Sequence, residues 1–157
     1  MYKVLFVCTG NICRSPTAEG VFRQLVDTAE LAANIATDSV GTGNWHIGDP
    51  PDPRAIAAAK ARGYDLTPLR GRQLQRDDFE SFDLLLAMDQ GHYDHLVDRC
   101  PSGTIERIRM FLELAADTGR TNVPDPYYGG MEDYELALDL IERGARAWLD
   151  RLRADLA

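Results

Sequence analysis

The sequence predicts an α/β protein: a single doubly wound domain over residues 1–157, with a central four-stranded parallel sheet and helices on both faces. Two observations carry this expectation. Val4 to Val7 and Leu84 to Ala87 are short apolar runs without polar alternation, as strands buried on both faces show. Helical segments separate the strand segments, which implies right-handed crossovers between parallel strands. At 157 residues the chain can bury a core without disulfides.

Each element has its own justification. After the first strand, a helix is expected from Pro16 to about Leu31. Ala18, Val21, Phe22, Leu25, Val26 and Ala29 share one face there, Ser15 stands as N-cap and Pro16 opens the helix. Ile35 to Val40 alternates like a strand. Gly41, Gly43 and Gly48, with Pro50, Pro51 and Pro53, mark a long loop. Asp52 as cap and Pro53 at the first position start an alanine-rich helix that Gly63 ends. The strand at Leu84 precedes a short helix from Gln90 to about Val97, and Ile105 to Arg109 is expected as the fourth strand. Met131 to Leu156 reads as the longest helix, with Tyr134, Leu138, Ile141, Ala145, Trp148 and Leu152 on its inner stripe.

Composition excludes several classes of function. The net charge of −8 argues against nucleic acid or an anionic membrane surface as partner. No apolar run approaches the ~20 residues of a membrane helix, and the first residues lack the pattern of a signal peptide. Three cysteines is an odd count for a secreted disulfide framework, so a cytoplasmic location is expected. Cys8, Cys13 and Cys100 form no zinc ligand set with His46, His92 and His95, so neither metal nor cofactor is expected. His92 and His95 read as a solvated helix end.

The chemistry concentrates in Cys8-Thr9-Gly10-Asn11-Ile12-Cys13-Arg14-Ser15, at the carboxyl end of the first strand, where ligands bind in such sheets. Gly10 and Asn11 tolerate positive φ, so the backbone N–H groups of Thr9 to Cys13 can turn inward as an anion-binding nest. The positive end of the following helix adds to the field, and the planar fork of Arg14 can meet two oxygens at once. A phosphoryl group suits this volume. Every one of these donors favours a thiolate over a thiol, which makes Cys8 a nucleophile. No Gly-Lys-Ser/Thr closes the loop, so the nucleotide P-loop pattern does not fit.

A thiolate that attacks phosphorus needs an acid for the leaving oxygen. Asp125, with Pro124 and Pro126 fixing the backbone on either side, is the candidate, although Pro-Asp-Pro alone also reads as a rigid turn. Tyr127 and Tyr128 follow as pocket walls.

These two segments resemble those of the low-molecular-weight protein tyrosine phosphatases, and the likeness runs over essentially the whole chain. Gly43 to Gly48 is similar to the segment that lines one wall of that family's pocket, with Trp45 as its aromatic. The resemblance implies that Cys8 forms a phosphocysteine intermediate, Arg14 holds the phosphoryl oxygens, and Asp125 acts first as acid and then as base. It implies further that Ser15 bonds the Cys8 sulfur, that Asn11 braces the turn, and that no metal is required. Cys13 resembles a second loop cysteine that can pair reversibly with Cys8 under peroxide; its other reading is a small buried side chain. One departure stands out. Many members carry a histidine just before the Arg-Gln of the segment seen here as Leu69-Arg70-Gly71-Arg72-Gln73; no histidine stands there, which leaves open how Ser15 is held.

Aromatic walls at Tyr127, Tyr128 and Trp45 make a deep slot that a phenyl ring bridges and a phosphoserine does not. The expected partner is therefore a tyrosine-phosphorylated protein, with phosphate or a similar oxyanion in the Cys8 loop. The chain itself is expected to be a monomer or a weak dimer. Three alternatives remain. Phosphoarginine phosphatases of this family tend to carry threonine where Ile12 stands; arsenate reduction needs further cysteines; a binding module without turnover has no use for Asp125.

Overall fold

The computed structural model describes residues 1–157. Four strands form its sheet: β1 (Tyr2–Cys8), β2 (Ile35–Gly41), β3 (Leu84–Ala87) and β4 (Ile108–Met110). All pair in parallel, in the order β2-β1-β3-β4, with Val4 opposite both Thr37 and Leu84. The helices are α1 (Arg14–Thr28), α2 (Pro53–Lys60), α3 (Asp78–Ser81), α4 (Gln90–Arg99) and α5 (Met131–Leu156).

The period of two along the strands sorts the core into two layers. Val4, Phe6, Leu84 and Leu86 pack with side chains of α1, α2 and α5. Leu5, Val7, Leu85 and Ala87 pack with Phe79 of α3 and Leu96 of α4. Because both faces are covered, Val4 to Val7 and Leu84 to Ala87 are apolar at every position rather than alternately. Phe6 anchors the larger layer, meeting Phe22 and Phe111 edge-on at 5.5 and 6.0 Å. The six stripe residues of α5 are all buried, as their spacing requires. No helix is long and apolar enough to cross a membrane.

Several boundaries differ from the sequence expectation. α1 begins at Arg14 and ends at Thr28, where Glu30 turns the chain with φ of 59°. Ser15 is therefore not the N-cap. Cys13 occupies that position without a side-chain cap bond, because the Ser15 hydroxyl is drawn inward to other partners. β4 is shorter than expected and starts at Ile108, since Ile105 to Arg107 closes into a 3-10 turn. Asp52 caps α2 as expected, accepting from the Arg54 N–H at 2.8 Å. α3 and the short 3-10 turns after β4 had no strong sequence pattern.

The two neighbours of β1 continue the chain order in opposite directions, so a crevice opens at the carboxyl ends of β1 and β3. Cys8 closes β1 at this crevice, and Asp89 lies two residues beyond the end of β3.

Candidate active site

Cys8 is 2% exposed, at the floor of a cleft whose lining includes Thr9, Gly10, Ile12, Cys13 and Arg14. The turn that curls the loop comes at Asn11, with φ of 56°. Gly10 does not share the left-handed conformation; its lack of a side chain matters because a Cβ there would crowd the His46 ring. The backbone N–H groups from Gly10 to Cys13 donate to no protein acceptor, and the start of α1 follows them directly. Unpaired donors beside a helix N-terminus make a cradle for an anion.

A chain of buried polar groups supports the sulfur from below. Ser15 Oγ lies 2.9 Å from Cys8 Sγ and accepts from Asn11 Nδ2 at 2.8 Å. The same Nδ2 donates to Ser39 Oγ at 3.0 Å, and Ser39 donates to Glu19 Oε1 at 2.7 Å. Asn11 Oδ1 in turn accepts from the Arg72 N–H at 3.0 Å, which sets the amide's orientation. Because Ser15 accepts from Asn11, its own hydrogen can turn to the sulfur, with the Val40 carbonyl at 3.3 Å as its other acceptor. This is how Ser15 is held without the histidine. None fits at position 71: a Cβ on Gly71 would overlap the carbonyl oxygen of His46. Burial pushes the Glu19 carboxyl above its usual range, with Ser39 and Arg23 opposing.

Arg14 is 4% exposed and is fastened on three sides. Its Nη1 donates to Asp89 Oδ2 at 2.7 Å and to the Val123 carbonyl at 3.0 Å, and its Nη2 lies 3.4 Å from His92 Nε2. Asp125 Oδ2 stands 3.7 Å from Nη2. Burial works to raise the Asp89 carboxyl, but the His92 backbone N–H, the neighbouring imidazole and Arg14 outweigh it and hold the group below the ordinary carboxylate range. His92 is 4% exposed, which corrects the expectation of a solvated helix end. β3 delivers α4 to the crevice, so His92 in its first turn faces the loop and not water.

Asp125 is half-exposed over the cleft and its Oδ1 accepts from the Tyr127 N–H at 3.1 Å. Arg54 fastens this segment, donating to the carbonyls of Tyr127 and Gly129 at 3.0 and 3.3 Å and to both oxygens of Asp52. Its guanidinium lies over the Tyr134 ring at 4.8 Å. Tyr127 and Tyr128 meet edge to face at 4.9 Å, and with Trp45 and His46 they line the open side of the cleft. Trp45 and Tyr128 remain 69% and 92% exposed, so they form a rim for a ligand to cover.

Twelve residues were expected at the site. Ten line this one cleft, while Asn11 and Ser15 lie directly beneath it. Cys13 is buried, with Tyr134 Oη at 3.4 Å, and burial pushes its thiol up to about 12. Cys100 sits beyond the far end of α4, a helix of about 15 Å at 1.5 Å per residue that separates it from Asp89. Asp89, His92, Ser39, Glu19 and Arg54 were not anticipated, and His46 was expected only as part of the Gly43 to Gly48 wall. For Asp89 and His92 a signal was present: a helix cap directly after a buried parallel strand lies at the ligand-binding edge of the sheet.

The chain matches the family model described as low molecular weight phosphotyrosine protein phosphatase over residues 3–157. It is 41% identical over 155 residues to a low molecular weight protein-tyrosine-phosphatase of Streptomyces coelicolor, covering 97% of this chain and 94% of that one. It is 44% identical over 133 residues to a low molecular weight phosphotyrosine protein phosphatase of Schizosaccharomyces pombe, covering 84% and 85%. Among solved structures, an Entamoeba histolytica protein tyrosine phosphatase with Hepes in its active site superposes with a TM-score of 0.96 at 35% identity, covering all of both chains. Wzb of Vibrio vulnificus, in complex with benzylphosphonate, superposes with a TM-score of 0.84 at 33% identity, covering 96% and 98%. With a thiol, an unpaired N–H cradle, an arginine and a carboxyl around one cleft, the chain belongs to the low molecular weight phosphotyrosine protein phosphatase family.

Proposed function

We propose that this protein hydrolyses phosphotyrosine in phosphorylated proteins, and aryl phosphates generally, through a phosphocysteine intermediate on Cys8. One observation carries the reading: Cys8, Arg14 and Asp125 line a single cleft with free N–H donors at its floor and aromatic rings at its mouth. The Cys8 thiolate attacks phosphorus and the bond to the phenolic oxygen breaks, with that oxygen taking the Asp125 proton. Water then attacks the phosphocysteine, Asp125 accepts its proton, and phosphate leaves the restored thiolate. Arg14 and the N–H cradle offset the spread charge of each transition state.

The aromatic rings at the mouth of the cleft suit an aryl group, and Ile12 in its wall favours that ring over a guanidino group. The benzylphosphonate complex of the Vibrio vulnificus relative supports the same choice. Cys100, a helix length away, is badly placed for an arsenate-reducing relay. We assign the whole chain, 1–157, to one catalytic domain and place it in the cytoplasm, where a reducing environment suits three free thiols. Self-association is expected to be weak, through the exposed Tyr128. Cys13 stays the resolving partner of Cys8 under peroxide in this reading, and its protonated state makes disulfide closure slow.

The test is phosphate release from p-nitrophenyl phosphate and from a phosphotyrosine peptide in excess chelator. Cys8→Ser abolishes release. Asp125→Ala slows esters of poor leaving groups far more than those of good ones. A protein that binds phosphate without turnover refutes the reading, and equal slowing across leaving groups removes Asp125 as the acid.

A further inference from the structure

His92 is a buried imidazole that the reaction as described does not use, and one of its nitrogens is unsatisfied. Nε2 lies 2.8 Å from Thr9 Oγ1 and 3.4 Å from Arg14 Nη2. Nδ1 lies 3.1 Å from Asp89 Oδ1 but has no aligned hydrogen-bond partner. Arg14 can only donate, so an Nε2 facing it has to carry the lone pair and Nδ1 the proton. The Thr9 hydroxyl then donates to the same Nε2.

The consequence appears when the donors of Arg14 are counted. A guanidinium has five N–H bonds. Asp89 and Val123 take both hydrogens of Nη1, and His92 takes one of Nη2. The two that remain, on Nε and Nη2, are adjacent and parallel, the pair that grips two oxygens of a phosphoryl group. Without an acceptor at position 92 only Nη1 stays fastened, by Asp89 and Val123, and the Nη2 edge that faces the cleft loses its own anchor.

We infer that His92, as a neutral Nδ1–H imidazole, is a positioning residue that anchors the edge of Arg14 that meets the phosphoryl group and ties the Thr9 hydroxyl to the same arrangement. This rests on the phosphatase reading above. The charges around the ring oppose one another: Arg14 from α1 and His95 from its own helix favour the neutral imidazole, whereas Asp89 from the α4 cap and Asp125 from the overlying loop favour the charged one. Burial first, and Arg14 second, hold the imidazole well below the ordinary histidine range.

The experiment compares wild type with His92→Met and His92→Gln, whose amide oxygen can reach the place of Nε2. Binding of inorganic phosphate is measured by calorimetry at neutral pH, with kcat and KM for p-nitrophenyl phosphate alongside. His92→Met is expected to weaken phosphate binding about tenfold or more, the scale of one hydrogen bond to a charged group, and to lower kcat. His92→Gln recovers most of both. In an Arg14→Ala background, His92→Met has no further effect on phosphate binding. Nitrogen-15 spectra of the wild-type imidazole show protonated Nδ1 and bare Nε2, a readout that holds even where a variant fails to fold. A protonated Nε2, a His92→Met protein that binds phosphate within twofold of wild type, or a folded His92→Gln protein as impaired as His92→Met overturns the inference. Phosphate binding is independent of turnover, so a wild type that binds phosphate but hydrolyses nothing refutes the phosphatase reading alone.

Discussion

Replacing Asp89 by Asn removes one negative charge and turns the oxygen that accepts from Arg14 into a donor. The amide keeps an oxygen for the His92 backbone N–H, so the cap of α4 survives, since Asn and Asp cap equally well. What goes is the counter-charge 2.7 Å from the buried Arg14. Removing one partner of a buried pair costs about 3–5 kcal/mol. Asp89 is itself 27% exposed, and Arg14 keeps the Val123 carbonyl and a distant Asp125, which puts the loss at the low end, about 3 kcal/mol. For a domain of this size that lowers the melting temperature by roughly 6–12 °C. The unpaired guanidinium then binds anions more tightly, so phosphate raises the melting temperature of Asp89→Asn more than that of wild type; at one hundred times Kd, a ligand contributes about 2.7 kcal/mol. Turnover falls, because Arg14 loses a fixed acceptor. The pH dependence has a definite sign. A depressed carboxylate contributes its full stability above the ordinary aspartate value of about 3.9 and loses it as pH falls through the folded value, so wild type and Asp89→Asn converge in acid. Scanning calorimetry across pH, with and without phosphate, measures all of this. A variant that melts within about 2 °C of wild type and gains equally from phosphate refutes the reasoning.

Two other perturbations separate local causes. Gly71→Ala drives a methyl group into the His46 carbonyl and is expected to cost about 1–3 kcal/mol in urea unfolding; an unchanged midpoint shows that the segment yields without strain. Glu19→Gln removes a carboxylate whose folded state favours the proton. Stability from Glu19 is full below the ordinary glutamate value of about 4.3 and is lost as pH rises through the raised folded value, so wild type weakens relative to Glu19→Gln between acid and neutral pH. Urea unfolding at several pH values checks the sign, and a difference that grows the other way shows that Ser39 and Arg23 outweigh burial at this carboxyl.

The sequence alone determined the sheet, the long helices and the loop from Cys8 to Ser15, while its family resemblance added Trp45 to the site. These features are local: apolar runs of strand length, a 3.6-residue stripe on α5, an Asp-Pro helix start, and a cysteine-to-arginine loop confined to eight consecutive positions. Ser15 shows where local reading fails, because a serine before a helix is drawn away from the cap by a sulfur seven residues earlier and an amide on the turn. Tertiary structure decided everything that depends on chain segments far apart in sequence. Asp89 and His92 reach Arg14 across more than seventy residues, Arg54 reaches the Asp125 loop across a similar span, and Gly71 is required by a carbonyl from another loop. No spacing rule encodes such contacts, because they follow from the order in which parallel strands lie side by side in the sheet.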